Sequence, residues 1–177
     1  MLPYRLWPVS MVIVLTACST FSGGPLNKQG PLGNGGTPGE ECVATDPSGA
    51  AYVAVDFLIN KGVAPVTIDS VDLASPNNLD LTEALLVPIE GTTLIGVGHG
   101  APNPKNMDDG VVWAKRVPAV GAIVSPNGEV GNLLAVLKTK DSSGSSVGLR
   151  VTYHDSNAQY VYQSATRLRL EIPPAKC

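Results

Sequence analysis

SVGLRVTYH, residues 146–154, places Val147, Leu149, Val151 and Tyr153 on one face of an extended chain and Arg150, Thr152 and His154 on the other. Successive side chains of a strand point to opposite sides, so this period of two predicts a strand with one buried face. The next run, 158–172, repeats the pattern: Thr166, Leu168, Leu170 and Ile172 alternate with Arg167, Arg169 and Glu171. Working outward, further strands are predicted near 50–60, 65–74, 79–89, 92–97, 111–124 and 132–139. Turn formers separate these runs, at Lys61-Gly62, Pro76-Asn77-Asn78, Glu90-Gly91, Pro126-Asn127-Gly128, Ser142-Ser143-Gly144 and Asp155-Ser156-Asn157. Between Ile68 and Val71 the apolar phase slips by one residue, which predicts a β-bulge. Residues 79–89 also admit a helical stripe through Leu81, Ala84 and Leu85, which Pro88 would cut short. The expected fold class is therefore all-β, a sandwich of about seven to nine strands.

Composition narrows the function classes. The chain has 177 residues, 44% hydrophobic and 15% charged, with 12 basic against 15 acidic side chains. That is one ordinary domain with ends, too apolar to stay unfolded. The net charge of −3 leaves no basic excess to neutralise phosphates, so nucleic acid is not an expected partner.

Residues 1–17, MLPYRLWPVSMVIVLTA, join a short positive region at Arg5 to a mostly apolar run from Leu6 to Ala17. The run suits a secretory signal and is too short to span a bilayer. It closes on Leu15-Thr16-Ala17-Cys18, which resembles the lipobox of bacterial lipoproteins. The resemblance implies a diacylglycerol thioether on Cys18, cleavage before Cys18, and anchoring to the bacterial membrane on its extracytoplasmic side. An ordinary secretory signal cleaved after Ala17 and a retained anchor helix are the alternatives. Ten of residues 19–41 are Gly or Pro, without apolar periodicity, so residues 18–41 read as lipidated cysteine and flexible tether, and 42–177 as the β-domain.

The stretch from Val55 to Leu73, VDFLINKGVAPVTIDSVDL, resembles a strand pair of extracytoplasmic immunoglobulin-like domains. It implies an immunoglobulin-like sandwich and no particular activity. The whole chain also resembles small surface lipoproteins of bacteria.

With Cys18 given to lipid, Cys42 and Cys177 remain, and an exported chain meets an oxidising compartment, so a disulfide between them is expected. Two free or intermolecular thiols are the alternative. The bridge requires residues 42–46 to lie beside the end of the last strand.

No constellation for catalysis emerges, and a non-enzymatic protein is expected. Gly144-Ser145-Ser146-Val147-Gly148 matches the spacing of a nucleophile elbow, but a strand follows where the elbow needs a helix. A hairpin loop is the expected structure there. Asp155 and Asn157 have the spacing that opens a calcium loop, without its glycine or distal glutamate. His154 is expected to be an exposed strand residue. The run 98–118, GHGAPNPKNMDDGVVWAKRVP, contains a loop long enough to carry function. Its candidate binding residues are His99, Met107, Asp108, Trp113 and Arg116, since Trp and Arg favour interface hot spots. Trp113 reads alternatively as a core anchor, and Tyr160 and Tyr162 read equally as core or surface. The expected function is a membrane-anchored binding or assembly module for an envelope protein or glycan, without a cofactor. The alternative is an extracytoplasmic metal or small-ligand carrier using His99 and Met107, residues that suit copper.

Overall fold

A computed structural model of the chain describes residues 30–33, 38–90, 95–107, 111–128, 130–175 and 177. The lipobox, Cys18 and Asp108 lie outside the described residues. The chain forms strands β1 (Leu32–Gly33), β2 (Gly39–Ala44), β3 (Ala50–Asn60), β4 (Val66–Leu73) and β5 (Leu79–Pro88). After these come β6 (Val97–His99), β7 (Val117–Pro118), β8 (Ile123–Val124) and β9 (Gly131–Thr139). The last are β10 (Gly144–Ser146), β11 (Leu149–His154), β12 (Gln159–Gln163) and β13 (Thr166–Glu171). Two three-residue 3-10 turns, Pro104–Asn106 and Trp113–Lys115, are the only helical pieces among the described residues.

The strands make three sheets. The largest has the order β1-β3-β9-β5-β7, with β6 also paired to β3. A second has the order β10-β13-β2 and a third β12-β11-β4-β8. The main core lies between them. Val53, Leu58, Leu133 and Leu137 of the large sheet meet Ile68, Val151, Tyr153, Leu168 and Leu170 of the other two, all of them buried. The alternation read from 149–154 and 166–171 is what puts these side chains inward: Leu149, Val151, Tyr153, Leu168 and Leu170 are all buried, while Arg150, His154, Arg167 and Arg169 face solvent.

The bulge expected between Ile68 and Val71 is present. Thr152 pairs with Ser70 and Tyr153 with Ile68, so Asp69 is the extra residue. Similar bulges place Val55 of β3 and Thr82 of β5 outside the ladder with β9. Residues 79–88 are strand, not helix. The run is strand because β9 pairs along its whole length, and that non-local ladder overrides a short helical stripe.

Several boundaries differ from the sequence reading. Residues 111–124 are not one strand. They form a 3-10 turn, the short β7 on the edge of β5, and the short β8 on the edge of β4. Pro118 and Gly121 break the run, and the chain crosses from one sheet to another there: Ala119 N donates to Ala84 O and Gly121 N to Ile68 O. The segment at 144–148 is not a hairpin loop. β10 pairs with β13 while β11 pairs with β4 and β12, so the chain changes sheets at Gly148, whose φ is +137°. Val147 consequently leaves the buried face and is exposed. The strand expected near 92–97 begins at Val97, and residues 91–94 lie outside the described residues. The body also starts before residue 42: β1 pairs with Asn60 and Ile59, and β2 begins at Gly39.

Cys42 and Cys177 are disulfide-bonded, with Cα atoms 5.4 Å apart. β2 runs parallel to β13, pairing Cys42 with Arg169, so the fold brings the start of the body beside the last strand.

Candidate binding surface

β9 is buried on both faces from Gly131 to Ala135, and the reason locates the candidate loop. Leu133, Ala135 and Leu137 point into the main core, whereas Leu134 points the other way. There it joins Tyr52, Leu85, Val87 and Ile95 in a second apolar cluster. Met107, Val111 and Trp113 pack over this cluster, half-buried. The described parts of 95–113 thus form a flap over the outer face of the large sheet. Backbone hydrogen bonds seat it on both sides, Ala54 N to Gly96 O at 3.1 Å and Val112 N to Pro88 O at 3.1 Å. Gly98 lies flat against the Tyr52 ring, where a Cβ would sit 2.4 Å from ring atoms. Asn103 caps the short turn at Pro104–Asn106 by accepting from Lys105 N.

Trp113 stands half-buried at the outer edge of this arrangement. Its ring anchors the flap on the second cluster, and its outer face carries Arg116, whose guanidinium lies 4.6 Å from the ring centroid. Arg116 Nη1 also donates to Trp113 O at 3.2 Å. The pair presents a cation already oriented on an aromatic face, a geometry suited to a polar or aromatic partner group. Met107 and Trp113 therefore share one cluster. His99 is held elsewhere: it pairs with Ala51 in the β6–β3 ladder, and its Nδ1 lies 2.5 Å from Ala44 O. A carbonyl only accepts, so Nδ1 is the donor of this contact. Among the described residues no group of three or more His, Cys, Asp or Glu is placed to hold a metal ion.

Ser146 is buried, with its Oγ 2.7 Å from Ala74 O and 2.8 Å from Gly148 O. Its role there is to hold the crossing at Gly148. His154 is exposed as expected, and the bulge supplies a neighbour that the sequence did not reveal. Asp69 Oδ1 lies 2.7 Å from His154 Nδ1, and Asp69 Oδ2 accepts from Gln159 Nε2 at 3.2 Å. The bulge leaves Asp69 out of the ladder, a position that a period-two reading of β4 does not place.

The β11–β12 turn is organised by Asp155. Its Oδ1 accepts from Asn157 N at 2.7 Å and Ala158 N at 2.8 Å, and its Oδ2 from the Tyr160 hydroxyl at 3.1 Å. These backbone amides, with the hydroxyl, hold the carboxyl below its ordinary range. Asp46 is lowered likewise, by the Ser48 hydroxyl and then by Ala50 N. Tyr160 stacks on buried Tyr153 at 5.4 Å between ring centroids, and Tyr162 donates to Asp56 at 2.8 Å. Both tyrosines thus pack half-buried along the edge of the main core. Burial raises the pKa of Tyr153, and that of Tyr160 rises through partial burial and then Asp155. Among the described residues no helix is long and apolar enough to cross a membrane. The chain matches no protein-family model and no curated protein sequence.

Proposed function

We propose that this protein is an extracytoplasmic lipoprotein of the bacterial envelope, anchored by lipid on Cys18, whose immunoglobulin-like β-body is a non-enzymatic binding or assembly module. The observation that carries this reading is Leu15-Thr16-Ala17-Cys18 at the end of an apolar run preceded by Arg5. The Cys42–Cys177 bridge supports it, because such bonds persist in oxidising compartments. Two acyl chains hold a protein to a bilayer where one does not. The binding surface is the outer side of the flap, with Trp113 as anchor and Arg116 stacked on it. Its partner is an envelope protein or glycan, and both classes offer carboxylates, carbonyls or hydroxyls that accept from a guanidinium.

Cross-linking capture in intact bacterial cells tests the reading, comparing the native chain with Cys18→Ala and Trp113→Ala. Capture of one envelope component by the native chain alone supports it. Equal capture by all three, or a protein mass without lipid at Cys18, overturns it.

A further inference from the structure

We propose that the seam between β4 and β5 binds an extended segment of a partner protein as an added strand, one with a basic residue between two aliphatic ones. This surface is apart from the flap and does not require the lipid anchor. The chain itself already closes part of the seam with backbone. Ala119 N donates to Ala84 O of β5, and two residues further Gly121 N donates to Ile68 O of β4, with Ile68 N donating to Ala122 O. The seam closes again at the β4–β5 connection, where Asn77 and Ser145 exchange backbone hydrogen bonds. About 20 Å of chain separates Ile68 from Ala74. Over residues 70–73 of that stretch β11 pairs with one edge of β4, and among the described residues no strand pairs with the other. What remains open is a groove of about 320 Å³ lined by Val71, Leu73, Leu79 and Leu81, with Asp72 and Asp80 exposed at its rim.

The backbone of this edge is directed into the groove. Ser164 N donates to Leu149 O, so the Leu149 carbonyl turns toward β12 and away from its β4 neighbour Leu73. In an antiparallel ladder such a pair exchanges no hydrogen bonds, whereas the adjacent pairs do. Asp72 therefore bonds to β11, and Leu73 and Val71 direct N–H and C=O into the open seam. The bulge at Asp69 lies beyond this stretch, so 70–73 is a regular edge, a template for another strand. Main-chain bonds to Val71 and Leu73 would fix the register of an incoming segment. Its residues opposite Val71 and Leu73 then point, as those two do, toward Leu79 and Leu81, and the residue between them lies beside Asp72.

Charge selects the partner. Residues 69–73 and 79–83, the two margins, carry Asp69, Asp72, Asp80 and Glu83 and no base. Asp69 is engaged by His154 and Gln159, and Asp80 by Lys140 at 3.5 Å. Asp72 accepts from Ser70 Oγ at 2.9 Å, and although Arg150 is its neighbour on β11, no ion pair joins the two. Its carboxylate is thus available to a cation arriving along the open edge. A second copy pairing through the same edge brings acid to acid, which opposes self-association and favours a partner with a base at that position.

Calorimetric titration of the full chain with the peptide acetyl-Thr-Val-Lys-Val-Thr-amide tests the inference. Binding is expected, and methylating the two valine nitrogens is expected to weaken it at least about tenfold by removing the donors aimed at β4. Asp72→Lys, at an exposed position, is expected to reverse the preference, so that the same peptide with Glu in place of Lys becomes the tighter ligand. No heat at millimolar peptide, equal binding of the methylated peptide, or a preference unchanged by Asp72→Lys overturns the inference. None of these results bears on lipid at Cys18 or on capture through Trp113, so the reading above stands or falls separately.

Discussion

Asn60 joins two sheets through one amide: its Nδ2 donates to Val124 O in β8 and to Ala64 O in the β3–β4 turn, while its Oδ1 accepts from Gly62 N at 2.8 Å. The side chain is buried, so its loss strands carbonyls and an amide that water reaches poorly. Asn60→Ala is expected to cost about 2–4 kcal/mol. Urea titration measures it, and a cost below half a kilocalorie would show that the turn repacks without the amide.

The Cys42–Cys177 bridge closes a separation of 135 residues. Restricting so long a loop lowers the entropy of the unfolded chain, which contributes about 4–5 kcal/mol in the chain-entropy picture. Cys42→Ser with Cys177→Ser, or reduction of the native protein, is expected to lower the urea midpoint equally. A double variant as stable as the oxidised protein would place the stabilisation elsewhere.

Gly148 turns the chain between sheets at φ +137°, and a Cβ there would sit 2.8 Å from Ser164 O. Both the backbone conformation and the space exclude a side chain. Gly148→Ala is expected to destabilise by about 2–4 kcal/mol. Gly121→Ala separates the two causes, because φ is +84° there and nothing lies within 4 Å of the added Cβ. It is expected to cost about 1 kcal/mol. Equal melting temperatures for the two variants would refute the steric contribution.

Stability should fall at both ends of the pH scale. Asp155 and Asp46 have carboxyl pKa values below the ordinary 3.8 in the folded chain. Their contribution is complete above that value and is lost as pH falls through the lowered folded values. Tyr153 and Tyr160 are raised above 10.0, so theirs is complete below pH 10.0 and is lost as pH rises through the raised folded values. Asp155→Ala is expected to lie a constant interval below the native protein at neutral pH, with the interval closing in acid. An interval that stays open at the lowest pH would assign the effect to packing.

Much of this fold was legible from local pattern. The period of two in 149–154 and 166–171 required only that one face be buried, and the slip between Ile68 and Val71 announced the bulge at Asp69. The pairing of Cys42 with Cys177 followed from counting. The alternation and the slip depend on neighbours in the chain, which the order of residues specifies directly. The sequence could not tell which sheet each strand would join, because ladder hydrogen bonds form between backbones that carry no label of their partner. Hence 111–124, apolar enough for one strand, divides between the edges of β5 and β4, and 144–148 becomes a crossing where a hairpin was expected. The outer face of β9 left the same ambiguity. Leu134 needed cover, and only tertiary packing placed Met107 and Trp113 over it while tying His99 to Ala44. The meeting of Ala64, Val124 and Leu32 at Asn60 is likewise a product of the fold, since residues scattered along the chain meet only where long-range burial and hydrogen bonding bring them together.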